Sequence, residues 1–561
     1  MRKKISFTLL VTFLAIATRA QQPVSKLQQV FTIEKNIGLQ TDVYYQDTLA
    51  SYPVILMRTP YPRRQYGSVA TYFCKLGYIV VIQSVRGTDG SGGQMIPFIN
   101  ETGDGLAMLN LLTAKKWCNG SIGLYGASYS SFCGLTLGTT SHPSLKAIVN
   151  INGWVEPALT ARPAGVNHLM MNIPWMLFNY SGGKLVPGKY NADSLLSSLP
   201  ENDMLKGFGI DITSAQMLKI LDGLNKNMDY KNFNVPVLHV TGMYDFTKEG
   251  TFNIYDSLRK YKKQQRFIIG PWVHDQIFSG SSRVGDWELP KQGYDSLGSG
   301  ILNAAANWFR LYLKNDPTAS TRNAFQAMPV FADSFNINEK EYPGEEMKST
   351  QLFLLPGTEN QGHLDKKTSP ANSHKSFLSD PYKPVPTNGG ANFHLFKQNI
   401  GLKDQTEIEK RKDVLTFSAE KINGQFWGLG KAKVKLFVSF AGKDCDFTAK
   451  LVAVDNNNKA WIISDGITRM SSAARPGKNT GMKDADGNII WEIEIDMGHI
   501  VFQLTQGWSF RLEIAGSNFP KYDRNPGTGE DPMTATKLNP VLQTIHFGKK
   551  FPSVLEIGRI D

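Results

Sequence analysis

Apolar and polar positions change rhythm twice along the chain. From Val30 to Tyr45 they alternate on either side of Asn36-Ile37-Gly38, which predicts two strands joined by a turn, and Pro53 to Met57 is a further apolar run. After Tyr72 the pattern shifts. Tyr78 to Gln83 reads as a buried strand, Asp104 to Lys116 as a helix and Ile122 to Tyr125 as a strand. A second helix starts near Tyr129, and Leu145 to Asn152 is another strand. Strands and helices in alternation predict an α/β fold around a parallel sheet. Between Trp154 and about Asp229 that alternation stops, and Met, Leu, Trp and Phe recur at helical spacing, as in a helical cap inserted into the fold. It resumes with Val235 to Thr241, a helix from Glu249 to Tyr261, the strand Arg266 to Gly270 and an amphipathic helix from Gly300 to Leu313. Past Lys348 helical spacing is lost. Short alternating strands such as Lys433 to Phe440, Phe447 to Val454 and Ser509 to Ile514 are punctuated by Gly, Pro and Asn, which predicts an all-β sandwich or jelly roll. The run Asn456-Asn457-Asn458 reads as a hairpin turn, and no internal repeat is present.

The organisation expected is a first part of an α/β core over 26–153, a helical cap over 154–229, the rest of the core over 230–342 and a jelly-roll β domain over 348–561. Length agrees, since single cores stop growing near about 250–300 residues and this chain has 561. With 41% apolar, 20% charged and 11% aromatic residues it can fill large cores, which excludes a disordered, collagenous or coiled-coil chain.

The formal charge of +12 raises the question of a nucleic-acid partner. Arg2, Lys3, Lys4 and Arg19 supply part of it from a segment with a basic start, an apolar run from Ile5 to Ala17 and small residues ending at Thr18-Arg19-Ala20. This is the pattern of a cleaved secretory signal peptide over residues 1–20, too short to span a bilayer comfortably. Its removal leaves 57 basic against 49 acidic residues, or +8, with no basic block. Lys431, Lys433 and Lys435 alternate with apolar residues, as on a strand with one wet face. A secreted or periplasmic protein is expected, with no nucleic-acid partner and no membrane association once the signal is removed. The four cysteines, Cys74, Cys118, Cys133 and Cys445, contain no paired metal-ligand spacing and read as buried thiols, with room for one disulfide.

The sharpest local feature is Gly126-Ala127-Ser128-Tyr129-Ser130, directly after a buried strand and directly before a helix. That is the context of a nucleophile elbow, in which a serine sits in a strained turn and small neighbours avoid collision with strand and helix. The usual second glycine is here Ser130. A serine hydroxyl needs a base in hydrogen-bond reach and an acid that orients the base. His274, in Gly270-Pro271-Trp272-Val273-His274 just past a strand, is the candidate base. The acid belongs at the end of the preceding strand, where Val240-Thr241-Gly242-Met243-Tyr244-Asp245 places Asp245. Asp256 within a helix and Asp275 directly after His274 are rivals. The Tyr129 amide supplies one oxyanion donor by the geometry of the elbow. Tyr61, in Arg58-Thr59-Pro60-Tyr61, either supplies the second through its hydroxyl or is a packing tyrosine.

With these residues the sequence resembles the X-Pro dipeptidyl-peptidase family of serine hydrolases, of CocE/NonD type, which includes bacterial cocaine esterase, α-amino-acid ester hydrolases and glutaryl-cephalosporin acylases. The resemblance covers nearly the whole chain. It is carried by Arg58-Thr59-Pro60-Tyr61, by Val85-Arg86-Gly87 with its Gly-rich continuation to Gly93, by Trp117-Cys118-Asn119-Gly120 leading into the elbow, and by Tyr244-Asp245 and Gly270-Pro271-Trp272 with His274. Asp380-Pro381, Pro384-Val385-Pro386, Asp444-Cys445-Asp446-Phe447-Thr448-Ala449-Lys450-Leu451, Ser517-Asn518-Phe519-Pro520 and Arg524-Asn525-Pro526 continue it. The resemblance implies a hydrolase core, an inserted helical cap and a jelly roll. It implies Ser128 as nucleophile, His274 as base, Asp245 as orienting acid, and Tyr61 with the Tyr129 amide as oxyanion hole. In α-amino-acid ester hydrolases two acids of an ammonium-binding cluster lie just after the triad acid. Here those positions are Phe246, Thr247 and Lys248, with Glu249 one step late, which argues against amino-ester and dipeptide substrates.

The expectation is an exported serine hydrolase acting on a small-molecule ester, amide or peptide through an acyl-enzyme, without metal or cofactor. Trp154, Trp175, Phe178 and Phe246 are candidates for the substrate pocket, with packing of the cap as the alternative role for the aromatic residues at 175 and 178. Asp89-Gly90-Ser91-Gly92 lacks the spaced acids of a calcium loop and reads as a Gly-rich turn. The rivals are an X-Pro dipeptidyl peptidase or α-amino-acid ester hydrolase, and, outside enzymes, a glycan-binding protein with a degenerate hydrolase core. The oligomeric state is left open.

Overall fold

The computed structural model describes residues 23–34, 36–180, 196–204, 228–274, 276, 281–295, 299–319, 325–339, 342, 348–393, 399–471 and 477–560. Its first layer is a ten-stranded sheet built from β1 (Ser25–Glu34), β2 (Ile37–Tyr45), β3 (Tyr52–Thr59), β4 (Ile79–Ser84), β5 (Cys118–Ala127), β6 (Leu145–Ile151), β7 (Val237–Tyr244) and β8 (Gln265–Val273) in the order β1-β2-β4-β3-β5-β6-β7-β8. The short strands Phe325–Ala327 and Ile337–Glu339 then extend the sheet beyond β8. The run from β4 through β3, β5, β6 and β7 to β8 is parallel, and β1 and β2 form an antiparallel hairpin at one edge.

Central strands in such a sheet are covered on both faces and read as continuous apolar runs. Every residue of β4 and β7 is buried. Along β5 the faces separate: Tyr125 and Ala127 join the cluster with Phe73 of α1 (Gly67–Lys75) and Phe309 of helix Ile301–Leu313, whereas Ile122 and Leu124 face Met108 and Leu112 of α2 (Glu101–Thr113). The two outer helices and the strand meet in edge-to-face pairs, Phe73–Tyr125 and Phe73–Phe309, both at 5.6 Å. The second helix begins at Glu101, three residues before its expected start, because its first-turn acids are buried as partners of an arginine. Of residues 154–229, expected as a cap, the described part includes helices Pro157–Ala161 and Leu169–Tyr180, and the remainder lies partly outside the described residues.

From Lys348 onward the described chain forms a β-rich domain whose strands join in a twelve-stranded sheet. Its two longest strands, Phe426–Ala441 and Ile489–Leu504, pair antiparallel. The alternating lysines meet acids on the neighbouring strands, with Lys431 at 3.3 Å from Asp496, Lys433 at 3.2 Å from Glu494 and Lys435 at 3.8 Å from Glu492. The positive row is thus locally neutralised. Asn456 and Asn457 lie in the turn between strands Asp446–Val454 and Ala460–Arg469. The Gly-rich stretch after β4 is a turn whose Asp89 carboxylate pairs with Arg63 at 3.0 Å. All four cysteines are buried and unpaired, so the single disulfide left open by the sequence is not formed.

Candidate active site

At the end of β5 the backbone turns sharply into helix α3 (Tyr129–Leu135), and Ser128 at the turn has φ 57° and ψ −126°, a left-handed conformation that costs a non-glycine residue about 1–3 kcal/mol. Gly126 is required there, because a Cβ would lie 2.3 Å from the Ser130 carbonyl oxygen. Ser130 fits because its hydroxyl is used: Oγ lies 3.0 Å from Tyr66 Oη in a buried environment. Ser131 braces the elbow, its Oγ donating to Gly126 O at 2.6 Å and accepting from Ile151 N–H at 3.0 Å.

Asp245 follows the last residue of β7, and His274 follows the last residue of β8, two adjacent parallel strands that carry both side chains to the elbow's end of the sheet. His274 Nε2 lies 3.0 Å from Ser128 Oγ, and His274 Nδ1 lies 2.8 Å from Asp245 Oδ2. The second carboxylate oxygen accepts from Thr247 N–H at 2.7 Å and lies 2.6 Å from the Thr247 hydroxyl, which fixes the plane of the carboxylate. All three members are buried. Their distances and order permit the serine proton to pass to an imidazole held in one tautomer by an acid. Asp256 sits on helix Lys248–Lys260, 3.6 Å from Arg259, and Asp275 lies outside the described residues.

Tyr129 opens α3, so its amide hydrogen has no carbonyl partner within the helix. Its phenol is held below the elbow, accepting from Phe98 N–H at 2.8 Å and donating to Glu101 Oε1 at 2.7 Å. Burial pushes the Glu101 carboxyl up, against the opposing Arg58 guanidinium 3.5 Å away. Tyr61 stands two residues beyond β3, the parallel neighbour of β5, half-buried and packed against the cluster that contains Tyr129.

The pocket candidates divide. The Phe246 ring lies 4.4 Å from the His274 imidazole, 5.3 Å from Phe393 and 6.3 Å from Trp154, and so forms an aromatic wall beside the base. Trp175 is buried in a stack with Phe98 at 5.3 Å, and Phe98 stacks on Tyr129 at 4.8 Å. Phe178 falls on helix Leu169–Tyr180, its side chain outside the described residues. The sequence does not mark Phe393, and it shows Thr247 only as a position without an acid, not as the partner of Asp245. Phe393 had no local pattern to mark it, whereas Thr247 two residues past an acid is the spacing of a side chain that folds back onto it.

Beyond Phe246 a cavity of about 370 Å³ opens between the stretch Leu159 to His168, the Asp245 turn and the β-rich domain, lined by Lys248, Glu249, Asp465 and Lys521 among others. Lys248 is buried, and its ammonium donates to His499 O at 2.6 Å and lies 3.3 Å from Glu249 Oε1. Its charge is therefore countered at once. Among the described residues no group of three or more His, Cys, Asp or Glu is placed to hold a metal ion.

Residues 35–276 match the family model of X-Pro dipeptidyl-peptidase (S15 family), and residues 312–556 match that of the X-Pro dipeptidyl-peptidase C-terminal non-catalytic domain. A cocaine esterase of Rhodococcus sp. (strain MB1 Bresler) is 25% identical over 563 residues, covering 92% of this chain and 95% of the relative. Two solved structures share the fold. An aminopeptidase from a marine sediment archaeon, Thaumarchaeota archaeon, has a TM-score of 0.81 at 19% identity and covers 99% of each chain. An α-amino-acid ester hydrolase has a TM-score of 0.81 at 19% identity over 97% of this chain and 98% of that one.

Proposed function

Because the chain belongs to the X-Pro dipeptidyl-peptidase family of serine hydrolases, with an α/β-hydrolase-type fold and a β-rich C-terminal domain, we propose that it cleaves an ester or amide through an acyl-enzyme formed on Ser128. The observation that carries this reading is the continuous relay from Ser128 Oγ through His274 to Asp245, with separations of 3.0 and 2.8 Å.

Ser128 Oγ attacks the substrate carbonyl carbon while His274 Nε2 takes the hydroxyl proton. The carbonyl π electrons move to oxygen, and the Tyr129 amide and the Tyr61 hydroxyl hold the resulting oxyanion. Collapse expels the alcohol or amine, which takes the proton from Nε2. Water then attacks the acyl-enzyme, gives a proton to His274, and the second collapse returns that proton to Ser128 with release of the acid. Asp245 keeps the imidazole proton on Nδ1 and stabilises the imidazolium in both halves, while Thr247 holds the carboxylate that does so. The positive φ of Ser128 is set before substrate arrives, so no reorganisation of the nucleophile is needed during the reaction.

The substrate class favoured is a neutral ester. Phe246, Phe393 and Trp154 make the wall beside His274 aromatic. The acid next to the Asp245 turn, Glu249, is engaged by His499 and Lys248, so it is not free to receive a substrate ammonium. The leader-like first 20 residues support export.

A fluorophosphonate probe should label the full-length protein and fail to label Ser128→Ala. Turnover of p-nitrophenyl acetate should exceed that of Gly-Pro-anilide. A Ser128→Ala variant with full esterase activity would refute the nucleophile, and a preference for the dipeptide anilide would replace the substrate class by that of an X-Pro dipeptidyl peptidase.

A further inference from the structure

The turn that carries Asp245 is short, and both of its ends reach into the β-rich domain. Immediately before the acid, Tyr244 is fully buried and its hydroxyl donates to Ile462 O at 2.9 Å. Immediately after Thr247, Lys248 Nζ donates to His499 O at 2.6 Å. Glu249 completes a clasp on the same residue, Oε1 accepting from His499 N–H at 2.8 Å and Oε2 lying 2.7 Å from His499 Nδ1. One turn further along the helix, Phe252 stacks on the His499 imidazole, ring centroids 3.9 Å apart and planes 6° from parallel. The clasp depends on Gly498, whose φ is 78° and where a Cβ would lie 2.3 Å from Glu249 Oε1. Helix Lys248–Lys260 therefore presents its first turn to one short stretch, Gly498–His499, of strand Ile489–Leu504.

We propose that the β-rich domain positions the orienting acid of the triad, with His499 acting through Glu249 and Lys248 to fix the turn on which Asp245 stands. His499 touches no reacting atom, so it is a positioning residue. The demand on it is stringent. A catalytic constellation must be held within about 0.5 Å of its productive geometry, and a misplacement of about 1 Å costs on the order of a hundredfold in rate. The Asp245 carboxylate meets that tolerance toward His274 through a turn whose neighbours on either side, Tyr244 and Lys248–Glu249, are anchored on a domain that begins a hundred residues later in the chain. Strand β7 and the hydrogen bond to Ile462 O fix Tyr244, and the direction in which the chain leaves the strand is set where helix Lys248–Lys260 docks.

This inference rests on the triad reading above, and a double-mutant cycle in the full-length protein separates the two. Glu249→Ala, Glu249→Gln and His499→Ala are made alone and together with Asp245→Asn. The constants kcat and KM for p-nitrophenyl acetate are measured well below each variant's thermal midpoint. Glu249→Ala and His499→Ala should lower kcat by about ten- to a hundredfold with KM within about twofold, and should lower it by less than about twofold once Asp245 is already Asn. Glu249→Gln, whose amide oxygen still accepts from His499 N–H and whose NH2 donates to a neutral Nδ1, should lose less kcat than Glu249→Ala. Glu249 is half-exposed, so its alanine variant carries the test even where loss of the His499 ring prevents folding. Full kcat in Glu249→Ala, or losses that multiply undiminished in the Asp245→Asn background, would overturn the positioning role alone. An Asp245→Asn enzyme with unchanged kcat/KM would overturn the triad, and the positioning role with it.

Discussion

Ser130 Oγ lies 3.0 Å from Tyr66 Oη, at the one elbow position where the usual glycine is absent. The pair is buried, and the burial raises the Tyr66 phenol above its ordinary range while the Ser130 hydrogen bond opposes that rise. Tyr66→Phe or Ser130→Ala leaves one polar group without this partner and should cost about 1–3 kcal/mol. The double variant should cost less than the sum, because both partners are removed together. Urea unfolding of the four proteins measures the difference.

Asp245→Asn keeps the shape of the side chain but favours the wrong imidazole tautomer. Its kcat for p-nitrophenyl acetate should fall by about 10³–10⁴-fold with little change in KM. Equal loss in KM would instead point to a role in binding.

Phe246 is the ring of the aromatic wall nearest the base, 4.4 Å from His274 against 6.2 Å for Phe393. Phe246→Ala should raise KM for aromatic esters by about tenfold, the equivalent of about 1–1.5 kcal/mol of ring contact. It should leave KM for acetate esters of small alcohols within about threefold. Steady-state kinetics with the two ester types is sufficient.

Glu101 supports the elbow from beneath through Tyr129 and faces the buried Arg58. Glu101→Ala leaves a guanidinium buried with weaker compensation from Asp104 at 3.9 Å, and should destabilise the protein by about 3–5 kcal/mol. Glu101→Gln, which preserves an acceptor for the Tyr129 hydroxyl, should cost less. Denaturant midpoints give both values.

Acid should unfold the protein in part through His239. This histidine is fully buried between Asn150 and Gln265, and burial pushes its pKa down to about 3 from 6.5. The unfolded chain takes up the proton near pH 6.5, whereas the folded protein resists it down to about 3. The stabilisation is complete above 6.5 and is lost progressively as pH falls toward 3, by up to about 5 kcal/mol. His239→Gln should flatten the slope of stability against pH in that window, as read by thermal unfolding at fixed pH steps.

Much of the hydrolase unit was legible because its chemistry is local. The elbow needs a glycine at 126 for steric reasons and lies between an apolar strand and a helix, so it is visible in one short stretch. His274 and Asp245 stand out in the sequence because each follows a strand whose apolar run marks its end, and the fold sets both side chains beside Ser128. What stayed hidden depends on partners far away in the chain. Ser130 looks like a mere exception to a pattern until Tyr66 is seen beside it. Glu249 looked misplaced by one residue for an ammonium site, whereas in the fold it answers His499, 250 residues later. Phe393 sits in a stretch without periodicity, and only folding sets it against Phe246. The early start of α2 is hidden for the same reason: nothing near Glu101 in the chain shows that it and Asp104 are buried against Arg58 of β3.

β6 and β7 are hydrogen-bonded neighbours in the sheet, although 85 residues separate the end of one from the start of the other. The intervening stretch therefore departs and returns through a doorway one strand spacing wide, about 4.8 Å. Nothing in the ladder records how long the excursion was. Residues 152–236 can therefore change in number without a shift of register between β6 and β7, whereas Trp154 and Trp175, which pack on Phe246 and Phe98, are tied to the rings beside Ser128 whatever the length of the rest.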